Sequence, residues 1–267
     1  TVSHLYKLRK GGGPGNFPGA GVKGTSHESF VPSTFLQNFY SPQSAGFEQK
    51  EGLVPWKLSC LHRAFTDGDI SGGLLIDVGS GPTLYQVLSG CEVFSKVLLT
   101  DFLEVNRQEL KSWLQGEGAN FDWTPFIKYV CELEGPSEWT EKAARLREVV
   151  SDVLPIDVHR AQPMAPDALP SEGADCLVSC FCLESASPDL DTFTKALGHI
   201  SKLLRPGGHL LLIGALQESF YLGGPVKIPE QGFTLIRLEV YTSPQYITDT
   251  DDISDARGCF FVKAKKD

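Results

Sequence analysis

The segment LLIDVGSGPTLYQ, residues 74–86, runs from an apolar stretch through an acid into small residues. Gly79 and Gly81, with Ser80 between them, would let main-chain N–H groups come close to a ligand. A second acid, Asp101, closes KVLLTD roughly 20 residues later, where nucleotide-binding folds place a carboxylate that accepts from both ribose hydroxyls. A third, Asp157, stands with Val158 at the end of VLPIDV, in the right place to meet an adenine amino group. The third glycine of a dinucleotide loop would fall at position 84, which is Leu84, and Pro82 stiffens the turn. A pyrophosphate is therefore disfavoured. Adenine plus ribose without pyrophosphate is the pattern of S-adenosylmethionine, whereas a nicotinamide-dependent oxidoreductase would rest on the GxG loop alone.

These residues need elements that bring them to one end of a sheet. Apolar runs predict strands at 74–78, 96–100, 153–157, 174–180 and 209–216, alternating with helices at 83–90, from Asn106 to Leu114, at 138–152 and at 189–203. Such alternation implies a parallel sheet with helices on both faces. Ligands settle beyond the carboxyl ends of such strands. The strand-end residues are Asp77 to Gly81, Asp101, Asp157, and Cys180 to Glu184. VPSTFLQNFY and LVPWKLSCLHRAF read as short helices ahead of the sheet, Trp56, Leu61 and Phe65 illustrating the helical spacing of the second. FTLIRLEVYT and GCFFVKAKK, with no helix between them, can pair antiparallel at an edge. In RPGGHLLLIGAL a helix stops at Leu204 and glycine supplies the turn into a strand.

The chain has 267 residues, 41% hydrophobic and 21% charged, enough for one α/β domain with a buried core. We expect one domain over residues 26–267, with lid helices at 26–66, behind a disordered Gly- and Pro-rich tail at 1–25. A net charge of −9 argues against nucleic acid as a partner. No apolar run reaches the length of a membrane span, and the N-terminus carries no export signal. Seven cysteines without a CxxC pair read as reduced thiols of a cytoplasmic protein, and Cys176, Cys180 and Cys182 fall on one face of a strand rather than around a metal. No metal site is expected, and the protein is expected to be a monomer.

LLIDVGSGPTLYQVLS, LTDFLEVNRQELKSWLQ, FDWTPFIKYVCELEG, VLPIDVH, ADCLVSCFCLESASPDL and LLRPGGHLLLIGALQESFYLGG resemble the small-molecule N-methyltransferases that act on nicotinamide, indolethylamines and phenylethanolamines. The resemblance runs from about residue 30 to the C-terminus. TDFLEVNRQEL, VPWKL, FCLE, SPDL and HLLLIGAL are most similar to the phenylethanolamine branch. It implies an α/β class I S-adenosylmethionine-dependent methyltransferase (Rossmann-like) fold, and methyl transfer from that donor to the amine of a phenylethanolamine such as noradrenaline, giving adrenaline. The alternatives are another small amine (an indolethylamine or nicotinamide) and a catalytically impaired homologue. Carried over by resemblance, Tyr40, Gly79, Ser80, Gly81, Thr83 and Tyr85 surround the donor's methionine end. Asp101, Phe102 and Asn106 serve ribose and purine, with Asp157, Val158, Cys180 and Cys182 along the adenine. Lys57, Phe181, Glu184, Glu218, Tyr221 and Asp251 match substrate positions, with Glu184 and Glu218 binding or deprotonating the amine and Asp251 gripping its hydroxyl and amine end.

The chain departs from that branch in two ways. Phe35 and Phe39 replace a tyrosine and an asparagine, and His27 replaces a tyrosine of the lid, so the pocket loses hydroxyl and amide groups. After SFYLGG the family places a strand-like segment and a helix, whereas this chain passes through PVKIPEQG straight to FTLIRLEV. One sheet-covering helix is expected to be absent.

Overall fold

The computed structural model describes residues 30–47, 52–116, 120–135, 137–217, 228–242 and 256–267. The tail at 1–25 and His27 lie outside them. Two compact units share the chain.

The first unit spans Val31–Ile156 with Ala174–Val178. It opens with helices α1 (Pro32–Tyr40), α2 (Pro42–Ala45) and α3 (Leu53–Thr66). Pro32 sits in the first turn of α1, where its missing N–H costs no bond. On α3, Val54, Leu58, Leu61 and Phe65 recur at helical spacing and are buried, each adding about 1.5–3 kcal/mol of apolar burial. Lys57 lies on that same buried stripe. There follow β1 (Gly72–Val78), β2 (Phe94–Asp101), α4 (Glu104–Gln115), α5 (Thr124–Glu134), α6 (Trp139–Val149) and β3 (Val150–Pro155). On the polar α6, Lys142 is buried and its ammonium is met by Glu92 at 2.7 Å and Glu134 at 2.6 Å.

The second unit contains Asp157–Gly173 and the chain from Ser179 onward. β4 (Ala174–Cys180) runs through both units, and α7 (Leu183–Ala186), α8 (Leu190–Ser201), β5 (Leu204–Gln217), β6 (Phe233–Tyr241) and β7 (Ala256–Lys266) complete the order. Asp189 caps α8 by accepting from the Thr192 N–H at 2.7 Å. The strand order is β3-β2-β1-β4-β5-β7-β6. β1 pairs parallel with β2 and β4, and β2 with β3, while β7 pairs antiparallel with both β5 and β6.

Five expectations need correction. The helix expected at 83–90 is two 3-10 turns, Tyr85–Val87 and Gly90–Glu92, because the Gln86 side chain takes the local carbonyls and Gly90 lies against Leu75 and Phe65. α5 stands where no element was expected between the helix ending at Leu114 and that beginning at 138: Phe126, Ile127 and Val130 bury one face of it. α6 ends at Val149 and β3 begins at Val150, so Asp157 stands beyond the strand rather than closing it. Cys182 is not on β4, which ends at Cys180. Finally, α8 stops at Ser201 and β5 already starts at Leu204, with Gly207 at φ +74° inside it.

Candidate active site

The glycine turn leaves β1 with Gly79 at φ +70° and Gly81 at φ +59°, a region that L side chains rarely enter. Two of its main-chain donors are committed within the protein: Ser80 N–H donates to the Thr100 carbonyl at 2.7 Å and Gly81 N–H to Asp101 Oδ2 at 2.8 Å. Asp101 Oδ1 accepts two more, from Leu103 N–H at 2.8 Å and Asn106 Nδ2 at 2.9 Å. Burial pushes the Asp101 carboxyl up from its ordinary range, opposed by these three donors. The loop thus presents a carboxylate wrapped in N–H groups rather than a row of vacant N–H groups.

Gln86 clamps the turn from beneath. Its Nε2 donates to Asp77 Oδ2 at 2.6 Å, to the Thr83 carbonyl at 2.9 Å and to the Ser80 carbonyl at 3.2 Å, while Thr83 Oγ1 lies 3.0 Å from Gln86 Oε1. Asp77 is fully buried, which raises its carboxyl to about 7. Two buried acceptors in this region, Asp77 Oδ1 and Asn106 Oδ1, have no protein partner.

Tyr40 and Tyr85 stack, with centroids 5.5 Å apart and planes at 26°. The Lys57 ammonium lies 4.4 Å from the Tyr85 ring centre and 5.0 Å from that of Tyr40. Such contacts favour a cation over an aromatic face. Phe35 is buried and packs on Phe39 at 5.2 Å and Tyr40 at 5.7 Å. The ring of Phe102, next to Asp101, is 56% exposed.

In the second unit, β4 turns at Phe181 into the short helix α7. Phe181 has φ +57°, the left-handed value shown by no other described non-glycine residue, and strain of this kind concentrates where a side chain must be aimed. Its N–H donates to the Ile213 carbonyl at 2.7 Å, and Ser185 Oγ donates to its carbonyl at 2.6 Å. This turn delivers Glu184, whose Oε1 accepts from Ala215 N–H at 2.9 Å. Burial raises the Glu184 carboxyl to about 7, and the Ala215 bond opposes that rise. A narrow recess beside it is lined by Ser179, Cys182, Leu183, Phe193, Leu212 and Phe260, among others. A side chain at Gly214 would come within 2.7 Å of the Phe260 ring and 3.2 Å of Glu184 Oε1, so glycine there leaves both their room.

The loop after β3 closes on itself. Asp157 N–H donates to the Pro163 carbonyl at 3.0 Å, Arg160 N–H to the Asp157 carbonyl at 3.1 Å, and His159 N–H to Asp157 Oδ1 at 3.0 Å. Val158 is buried, whereas Cys180 and Cys182 are half-buried.

Among the expected residues, the first unit gathers Tyr40, Lys57, Gly79, Ser80, Gly81, Thr83, Tyr85, Asp101, Phe102 and Asn106. The second holds Asp157, Val158, Cys180, Phe181, Cys182 and Glu184. Glu218, Tyr221 and Asp251 lie outside the described residues, as does 218–227, the stretch that bears on the expected absence of a sheet-covering helix. Sequence reading missed Gln86, which follows the turn by a few positions and looks like any helix glutamine. The burial of Lys57 was readable, since it shares the stripe of Val54, Leu58 and Leu61. Among the described residues no cluster of His, Cys, Asp or Glu could hold a metal ion, and none of the helices is long and apolar enough to cross a membrane.

A family model described as "NNMT/PNMT/TEMT family" matches residues 21–266. The chain belongs to the NNMT/PNMT/TEMT family. It is 46% identical over 266 residues to the phenylethanolamine N-methyltransferase of Bos taurus, covering 95% of this chain and 94% of that protein. The Homo sapiens phenylethanolamine N-methyltransferase is 45% identical over 272 residues, covering 96% and 95%. Among solved structures, the N-methyltransferase NodS from Bradyrhizobium japonicum WM9, in complex with S-adenosyl-L-homocysteine, superposes with a TM-score of 0.51 at 12% identity, over 88% of this chain and 98% of that one. The likeness establishes a class I methyltransferase fold. In this family member, the glycine turn and Asp101 stand after β1 and β2 of that fold, and Glu184 after β4.

Proposed function

We propose that the protein methylates the amine nitrogen of a phenylethanolamine such as noradrenaline, with S-adenosylmethionine as donor. The observation that carries the reading is Glu184, a buried acid that accepts from the Ala215 N–H, in a chain similar along almost its whole length to phenylethanolamine N-methyltransferases. The donor, when bound, supplies an electrophilic methyl on a sulfonium.

The residues present suit that group. Unpartnered Asp77 Oδ1 and Asn106 Oδ1 are acceptors for a ligand rich in N–H and O–H donors. An ionised carboxylate has about four lone-pair sites. Three at Asp101 are filled, leaving room for one ribose hydroxyl, and Asn106 Oδ1 can take the second. Tyr40, Gly79, Ser80, Gly81, Thr83 and Tyr85 would hold the methionine end, and Phe102 offers a ring face to the purine. Asp157, Val158 and Cys180 would serve the adenine.

Nitrogen attacks through its lone pair, yet an aliphatic amine with a pKa near 10 is protonated at pH 7. Handing that proton to a carboxyl of ordinary pKa 4.5 is uphill by about 7 kcal/mol, at about 1.4 kcal/mol per unit. With Glu184 raised to about 7, the cost falls to about 4 kcal/mol. Glu184 therefore attracts the ammonium, takes its proton and leaves the lone pair. Glu218 would share this work, with Lys57, Phe181, Tyr221 and Asp251 lining the substrate. The phenylalanines at 35 and 39 leave that lining without the polar groups of the related enzymes. The acidic charge of −9 and the reduced cysteines suit a cytoplasmic monomer.

The test is transfer of labelled methyl from S-adenosylmethionine to a panel of phenylethanolamines, tryptamine and nicotinamide. The highest kcat/KM is expected on a phenylethanolamine. Transfer to nicotinamide or tryptamine alone, or to none, would overturn the reading.

A further inference from the structure

The loop bearing Asp157 is joined to the helix bearing Glu184 through one side chain. His159 Nε2 lies 3.0 Å from the Ala186 carbonyl, at the last residue of α7. A carbonyl only accepts, so Nε2 must carry the hydrogen. The same residue's N–H donates to Asp157 Oδ1 at 3.0 Å, so His159 grips the loop's acid with its backbone and α7 with its ring. On the other side of the loop, His199 Nδ1 lies 3.0 Å from the Val158 carbonyl and ties it to α8. α7 is a four-residue helix, and its Ala186 N–H already donates to the Cys182 carbonyl at 2.9 Å. Among the described residues, the Phe181 turn before it, Ala215 on Glu184 and His159 at its end all bond to it.

We propose that His159 is a positioning residue coupling donor binding to amine binding: its ring nitrogen fastens the loop that meets the adenine to the helix that carries the amine-binding acid. The inference rests on the function proposed above, with Asp157 on the adenine side and Glu184 on the amine side. Ordering of the loop by donor fixes α7 and readies Glu184; ordering of α7 by amine fixes the loop. Such coupling is reciprocal.

The experiment measures phenylethanolamine affinity by calorimetry with and without saturating S-adenosylhomocysteine, in the wild type, H159Q and H159N. Glutamine places an N–H donor near Nε2, whereas asparagine reaches only as far as Nδ1. The wild type and H159Q should bind amine about fivefold or more tightly with the nucleoside present, within the range of coupled sites. In H159N the ratio should fall to about one with the melting temperature little changed, which a merely structural role would not produce. An undiminished ratio in H159N, or a ratio lost equally in H159Q, overturns the proposal. If H159N does not fold, the wild type still decides: nitrogen-15 NMR of the His159 ring should show a protected Nε2–H whose shift moves with either ligand alone, and a signal indifferent to one of them overturns the coupling. A wild type that binds no S-adenosylhomocysteine indicts the functional reading instead.

Discussion

Asp101 closes β2 and Glu184 follows β4 on the short helix α7, and the two acids are almost equally buried, at 7% and 8% exposed. They differ in company. Asp101 accepts three N–H donors, two from main chain and one from Asn106, whereas Glu184 has main-chain donors alone, Ala215 and its own N–H. Protonating Asp101 would strand donors in a buried place, so its hydrogen bonds oppose the rise that burial causes and hold the geometry of the turn. Protonating Glu184 forfeits little, and its carboxyl sits near 7. Equal burial with unequal hydrogen bonding separates an acid that positions from an acid that exchanges protons.

The largest effect expected from that difference is on turnover. Glu184→Gln keeps the shape and the Ala215 bond but cannot take a proton, and kcat for a phenylethanolamine should fall about a thousandfold. Affinity for S-adenosylhomocysteine should hold within a factor of about two, since the cradle lies elsewhere in the sequence. A variant with near-native kcat would erase the distinction between the two acids.

Asp101→Ala should act on the fold instead. It leaves the Gly81 and Leu103 N–H groups and Asn106 Nδ2 without their acceptor, at a cost of about 3 kcal/mol in urea denaturation. A loss under about 1 kcal/mol would mean that water replaces the carboxylate and that the turn needs no anion.

These two acids also show what a sequence can and cannot disclose. Asp101 was legible from its distance to the glycines, and the positive φ of Gly79 and Gly81 follows from their being glycines in a tight turn. The strands were legible too, because apolar runs between turn residues must be buried on both faces in a parallel sheet. Glu184 was legible as a residue beyond a strand end, but its role came only from the family resemblance: nothing local to FCLES signals that a strained Phe181 turn will bury it against Ala215, a residue 31 positions away. Gln86 was illegible for the same reason. Its role depends on the carbonyls of Ser80 and Thr83 pointing inward, and that follows from a 3-10 turn where helical spacing argued for a helix.

The next effect is in the pH dependence of stability. Glu184 titrates at about 7 in the fold and at its ordinary 4.5 in the unfolded chain. The unfolded state therefore ionises first as pH rises. Stability from this group is fully present below about 4.5 and is lost progressively up to about 7, by about 3 kcal/mol at about 1.4 kcal/mol per unit. Asp77, raised by burial to about 7, adds a slope of the same sign. Glu184→Gln removes its own share only. The variant should therefore gain on the wild type between pH 4.5 and 7 and hold that gain above; a difference that is flat with pH would put Glu184 at an ordinary carboxylate pKa.

The smallest effect belongs to the sheet edge, where the same argument about company applies to apolar groups. Leu238 on β6 and Val262 on β7 are register partners in the antiparallel pair, so their side chains share a face. Val262 is wholly buried, but Leu238 is 46% exposed, as are its neighbours Leu235, Ile236 and Val240 at 39–49%. Leu238→Thr keeps strand propensity while removing apolar surface that is already half in water, so it should change stability by no more than about 0.5 kcal/mol. Val262→Ala, one strand inward, should cost about 1–3 kcal/mol by opening a cavity. If Leu238→Thr proves as costly as Val262→Ala in thermal unfolding, the edge of this sheet is covered in solution, and Leu238 belongs to the core rather than to its rim.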